Sequence, residues 1–224
     1  MSESHPYHHG DLPAALITAG LELARGGGPD AVSLREVTRR AGVTANAAYR
    51  HFADRRAFVR AVAERSQEDL ALLIEREMDA AGSEADPARR ALDRLRALGM
   101  AYVDFAVNEP GWFQLAFAGF VTAAPPSTAR HTDNPNFRLL VAALDELVAA
   151  GMLSRPRRRN AEWACWSAVH GFAQLVTAGP LQGQQPAALR ELGAHVVEVA
   201  IQGVISVPAP RSADRGIAAL SSDS

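Results

Sequence analysis

Apolar residues recur every three to four positions along most of this chain, the spacing of helices laid against a core. Leu16, Ile17, Leu21 and Leu23 predict a first helix over Leu12 to Arg25, with Pro13 in its first turn and Gly26-Gly27-Gly28-Pro29 ending it. A long helix is expected over 54–80, where Asp54 is placed to cap it and Phe58, Val62, Leu70, Leu73, Ile74 and Met78 fall on one side. Asp86-Pro87 opens another to about Asn108, broken by Glu109-Pro110-Gly111. Residues 111–121 form a short aromatic-rich helix, 122–135 a loop marked by Pro125-Pro126, and 136–150 a helix stopped by Gly151. Two further helices, 161–178 and 187–206, are apolar nearly all round. The fold class is therefore all-α, with about nine helices.

Between the first helix and the long one lies a tighter pattern, Ser33 to Phe58. Ser33 stands three residues before Glu36, the spacing of a capping box in which each side chain meets the other's amide. Leu34, Val37 and Ala41 continue at helical spacing, and Gly42 follows where a helix end needs a left-handed residue. Val43 is placed to wedge between two helices, and Thr44 caps a second short helix that runs to His51. Helix, glycine turn, helix over 33–52 is the pattern whose second helix enters the DNA major groove.

The charge changes the picture in the same direction. From Arg35 to Arg60 seven arginines face only Glu36 and Asp54, a local net of +5 on a chain whose formal net charge is −2. A basic island on an acidic chain points to a polyanion, because neutralising phosphates releases counterions. The alternative is a helical hairpin with a solvated arginine face. On the second helix, Ala45, Asn46, Ala47 and Arg50 fall on or near the exposed face. Asn46 suits adenine, Arg50 suits guanine or a phosphate, and the Thr44 hydroxyl with the amides that follow suits a phosphate. Ser33 and Arg35, at the start of the first helix of the pair, complete the candidate DNA-facing set.

Other functions find little support. The 224 residues contain no apolar run of 18, so no membrane partner is expected, and Met1 to Asp11 lacks the charge and apolar core of a secretory leader. The single cysteine, Cys165, fits a reducing, cytoplasmic setting. All 23 basic side chains are arginine, which removes any phosphate-loop or Schiff-base lysine. No nucleophile elbow, phosphate loop or metal-spaced His/Cys pair is present, so no enzyme, cofactor or metal site is expected. His5, His8 and His9 lie close together in residues 1–9, but without a fourth ligand or a scaffold they suit a flexible arm near DNA better than a metal site.

These residues carry a resemblance. Val37, Ala41-Gly42-Val43-Thr44, a four-residue gap, Tyr49, His51-Phe52 and Arg55 resemble the DNA-binding end of the TetR family of bacterial one-component repressors. The pattern departs at Thr38, where Ala is usual, at Arg55, where Lys is usual, and in the gap Ala45-Asn46-Ala47-Ala48, which leaves operator preference open. The resemblance implies a three-helix domain over residues 10–70, closed by the first helix. It implies that Tyr49, His51 and Arg55 meet the DNA backbone. Phe52 reads as core, and Tyr49 also admits packing on the first helix.

Residues 71–206 are expected to form a regulatory and dimerisation domain, with 207–224 a disordered tail rich in Pro, Ser and Asp. Tyr102, Phe105, Phe113, Phe117, Trp166, His170 and Gly171 resemble a C-terminal subtype of that family named for its Trp-His-Gly residues. A pocket for a small hydrophobic effector is expected among Tyr102, Phe105, Trp112, Phe113, Phe117, Phe120, Trp163, Trp166 and His170. The competing readings are plain aromatic core and, for His170, a structural hydrogen bond. The two all-apolar helices predict a homodimer seam of four helices through Cys165, Ala168, Phe172, Leu175, Leu192, Val196, Val199 and Ile201. A monomeric core is the alternative. The leading function is a repressor released by ligand from a palindromic double-stranded operator. An architectural DNA-binding dimer and a small-molecule binder or enzyme that has lost DNA binding are the rivals.

Overall fold

A computed structural model describes residues 12–117 and 134–206. The described residues form ten helices and no strand: α1 Leu12–Ala31, α2 Leu34–Arg40, α3 Ala45–Tyr49, α4 Arg55–Ala81, α5 Pro87–Asn108, α6 Pro110–Phe117, α7 Pro135–Ala149, α8 Arg155–Arg158, α9 Ala161–Ala178 and α10 Pro186–Ser206. The all-α expectation holds. The arm at 1–9, Phe120, most of the 122–135 loop and the tail at 207–224 lie outside the described residues.

Short polar residues start the helices by accepting otherwise orphaned amides. Ser33 Oγ accepts from the Glu36 amide at 3.2 Å, Thr44 Oγ1 from Ala47 at 3.3 Å and Asp54 Oδ1 from Ala57 at 2.7 Å. Asp86 Oδ1 accepts from Ala88 at 3.2 Å, one residue after Pro87 opens α5. The expected capping box is only half made. The Glu36 carboxylate turns away from the Ser33 amide to Arg39 at 2.6 Å and Arg40 at 3.2 Å, because two guanidinium groups one turn below outbid a single amide.

Backbone conformation ends the helices where glycine predicts it. Gly42 has φ +67° and Gly151 φ +75°. Within α1, Gly27 and Gly28 leave helical geometry, Gly28 at φ +62°, so Pro29 to Ala31 form a separate turn beyond the break.

Two hydrophobic clusters result. The first gathers Leu16, Val37, Ala48, Phe52 and Phe58 from α1 to α4, and it also takes Leu115 from α6. The second fills the space between α4, α5, α6, α7, α9 and α10. The 27-residue α4, about 40 Å long at 1.5 Å per residue, belongs to both: Phe58 and Val62 lie in the first cluster, Leu70, Ile74 and Met78 in the second.

The seam expectation needs correcting on one side. Cys165, Phe172 and Ile201 are 6%, 4% and 2% exposed and pack inside the chain's own second cluster. The inner faces of α9 and α10 lie against α5, as where Gly193 meets the Val103 side chain, and this hides half of each apolar helix without a partner. Ala168 and Val196 are half-buried. Leu175, Leu192 and Val199 stand out at 45%, 43% and 56% exposed.

Candidate DNA interface and its link to the helical core

The short α3 is anchored by one side chain. Ala48 is fully buried, while Ala45, Asn46, Tyr49, Arg50 and His51 are exposed and Ala47 is half-buried. A small apolar anchor among polar neighbours leaves the outer face of the helix free. Around it, Arg35, Arg50, Arg56 and Arg60 are exposed and make no ion pair among the described residues. Arg39 and Arg40 are held by Glu36, whose carboxyl they pull down to about 2 through their hydrogen bonds. The unneutralised arginines therefore lie on the helix pair and the start of α4. Thr38, the departure in the first helix of the pair, is buried, and its hydroxyl donates to the Leu34 carbonyl at 2.8 Å, so no polar group is stranded.

Three site residues are engaged within the protein. Ser33 and Thr44 use their hydroxyl oxygens as caps. Arg55 Nε donates to the Val32 carbonyl at 3.1 Å, which braces the turn between α1 and α2. The family resemblance implies that Arg55 meets the DNA backbone; in this structure its guanidinium is turned to the protein's own backbone, because the carbonyls that follow the break in α1 need donors.

The reader is bolted to the rest of the chain through α6. Trp112 Nε1 donates to the Leu21 carbonyl of α1 at 2.7 Å. The Arg25 guanidinium lies 4.5 Å from the Trp112 ring centre and pairs with both Glu109 oxygens at 2.7 Å. Ser66 on α4 donates to the Trp112 carbonyl at 3.1 Å and Gln67 Nε2 to the Ala116 carbonyl at 2.6 Å. At the far side Gln114 Nε2 donates to the Thr177 carbonyl of α9 at 2.5 Å. Trp112 thus belongs to the joint between α1 and α6, with Phe105 of α5 6.4 Å away ring to ring.

The remaining aromatics are mostly packed against one another. Phe113 and Phe117 lie 4.7 Å apart ring to ring, Tyr102 lies 5.6 Å from Phe113, and Trp166 stacks on His170 at 5.8 Å. Tyr102 Oη and His170 Nδ1 are 2.8 Å apart. Burial pushes the tyrosine hydroxyl well above its ordinary range and the imidazole below its own, so both are neutral near pH 7. Trp163, 41% exposed, packs on Phe137 at the surface. A small cavity does exist beside this cluster, between α5, α7, α9 and α10, giving a water molecule's centre about 20 Å³ of room. Of the predicted pocket residues that are described, Tyr102 and Trp166 line it. Sequence reasoning missed Asn136 and Leu140 as lining residues and assigned Cys165 and Ile201, which also line it, to a subunit seam. Burial raises the Cys165 thiol to about 11, which leaves it unreactive.

Comparison with known proteins agrees with this architecture. Residues 16–62 match the sequence model described as "Bacterial regulatory proteins, tetR family", and residues 95–200 match "Tetracyclin repressor-like, C-terminal domain". A search of curated protein sequences returns no match. Among solved structures, a protein with unknown function from Rhodococcus sp. RHA1 is 28% identical, with 91% of this chain and 100% of that chain covered and a TM-score of 0.71. A bacterial regulatory protein in the tetR family from Rhodococcus RHA1 shares the fold at 18% identity and TM-score 0.59, covering 87% of this chain and 97% of its own. The transcriptional regulator FadR from Bacillus subtilis, solved in complex with stearoyl-CoA, does so at 16% identity and TM-score 0.57, covering 85% and 98%. No helix among the described residues is long and apolar enough to cross a membrane. The chain belongs to the TetR family of transcriptional regulators, with that family's helix-turn-helix domain at one end and its repressor-like helical domain at the other.

Proposed function

We propose that two copies of this chain bind a palindromic operator in double-stranded DNA, repress transcription there, and leave it when a small hydrophobic effector binds the helical domain. The observation that carries this reading is the exposed outer face of α3, offering Asn46 and Arg50 beside arginines that no acid neutralises among the described residues. Leu175, Leu192 and Val199, exposed on α9 and α10, suit a two-fold seam that would hold two such readers in successive major grooves, about 34 Å apart. The fold shared with FadR supports an effector site in the second domain, since that relative was solved with a small molecule bound. An effector acts only if it binds the two states unequally. The continuous α4 and the bolted α6 provide the mechanical link. A cytoplasmic location and the 10–70 and 71–206 division belong to the same reading.

The test is a binding titration of the full chain on the DNA upstream of its own gene and on scrambled DNA, over a range of salt. A preference for the upstream DNA that persists as salt rises supports the reading; equal affinity at every salt contradicts it. A second reading, a DNA-binding dimer with no effector, draws on the dense ring-to-ring packing of Tyr102, Phe113, Phe117 and Trp166.

A further inference from the structure

The contacts between α1 and α6 divide into those that hold the two helices together and one that fixes their angle. Gly111 against the Ala24 carbonyl and the Trp112 indole donating to the Leu21 carbonyl are single points of attachment. A helix held at such points can still roll about the line of contact. Arg25 prevents this. Its Nε and Nη2 donate to Glu109 Oε2 and Oε1, both at 2.7 Å, and its guanidinium lies 4.5 Å from the Trp112 ring centre. Two parallel charge-assisted bonds fix the two groups in one plane, and the indole face backs the guanidinium.

Each end of this clasp sits at a backbone junction. Arg25 is in the last helical turn of α1 before Gly27 and Gly28 leave helical geometry. Glu109 is the single residue between α5 and α6, at φ −129° and ψ 55°. Its amide donates to the Phe105 carbonyl of α5 and its carbonyl accepts from the Phe113 amide of α6, each at 2.9 Å. The carboxylate is therefore fixed to both helices of the second domain and, through Arg25, to the regular part of α1. Leu16 and Leu21 of α1 share a packed core with Val37 of α2 and Ala48 of α3, so the direction of α1 is the direction of the reader. The Arg25 side chain is 57% exposed and that of Glu109 23%, and a pair this open adds little stability of its own. What it governs is where α3 points.

We propose that Arg25 and Glu109 are positioning residues for operator binding: their pair sets the angle of the reader, so that two readers meet two half-sites together without further ordering. The inference rests on the operator-binding reading above. Random DNA asks for no fixed spacing, because phosphates recur all along the duplex, so nonspecific binding is indifferent to the clasp.

The experiment measures the affinity of the full chain for its upstream DNA and for a scrambled duplex, at one fixed salt concentration, in unaltered protein, Glu109→Ala and Arg25→Met. The two substitutions move the net charge in opposite directions. Charge alone makes Glu109→Ala bind both duplexes as tightly or more tightly and Arg25→Met bind both more weakly, with the ratio of the two affinities unchanged. The clasp predicts that this ratio falls about tenfold in both variants, because readers left unfixed must be ordered on the operator only. Glu109→Ala is expected to lose operator affinity although it has shed a negative charge. Thermal melting followed by circular dichroism reads a purely structural role, which lowers the midpoint and leaves the ratio as it was. An unchanged ratio in either folded variant overturns the proposal, and if one variant fails to fold the other decides. Unaltered protein with no preference between the duplexes removes the operator reading and this inference with it; a preference that survives in both variants removes this inference alone.

Discussion

Gly111 lies against Ala24 so closely that a β-carbon on it would come within 2.0 Å of the Ala24 carbonyl oxygen. The obstacle is backbone, so no rotamer change relieves it. Only glycine lets α6 pack on the end of α1 at this distance, and that contact joins the helix-turn-helix domain to the second helical domain. Gly111→Ala should force the two helices apart and lower stability by about 1–3 kcal/mol, the ordinary cost of overpacking. A urea titration of both proteins measures it, and an unchanged midpoint would show that the joint is looser than described.

Arg55 carries two separable roles. Its hydrogen bond to the Val32 carbonyl predicts that Arg55→Ala lowers stability by about 1 kcal/mol even without DNA. If the side chain also swings to a phosphate, the same variant weakens all DNA alike and reduces the salt slope by about one. Asn46→Ala and Arg50→Ala should instead erode discrimination between operator and random DNA. Fluorescence anisotropy over a salt series distinguishes the two patterns.

The faces of α9 and α10 make opposite predictions. Phe172→Ala or Ile201→Ala removes a side chain buried in the chain's own core and should cost about 2–5 kcal/mol. Leu175→Glu with Val199→Glu changes exposed positions and should leave the subunit folded while splitting the dimer. Sedimentation velocity with circular dichroism reads both outcomes. A dimer that survives the double substitution places the seam elsewhere.

Protonation should act through His170. Its folded-state pKa is lowered by burial, so the unfolded chain takes up a proton more readily. The neutral side chain's contribution is whole above the ordinary histidine pKa of about 6.5 and is lost as pH falls from there toward the lower folded value. Unfolding measured between neutral and mildly acidic pH should show stability dropping, with a shallower drop in His170→Asn. Identical pH profiles for the two proteins would contradict the assignment.

How legible these features were in the sequence follows from how local each one is. Ser33, Thr44, Asp54, Asp86 and Gly42 act on amides or dihedrals within a few residues of themselves, and the helix ends fall where they predict. What depends on distant neighbours was hidden. A helix apolar all round does not say which side meets its own chain, so Cys165 and Phe172 could not be told from Leu175. Trp112 reads as pocket or joint alike until α1 supplies the Leu21 carbonyl. The four residues of α8 are too few to show a period. Asn136 looks like one more polar residue after the Asn134 cap until the Gln67 carbonyl of α4 is seen to accept from its side-chain amide.

The most direct test of the account is the stoichiometry and selectivity of the chain on its upstream DNA, taken together by sedimentation equilibrium with labelled duplex. The account predicts pairs of protomers on a palindromic site, bound about a thousandfold or more tighter than scrambled duplex at physiological salt. Single protomers bound with no preference between the two duplexes would contradict it.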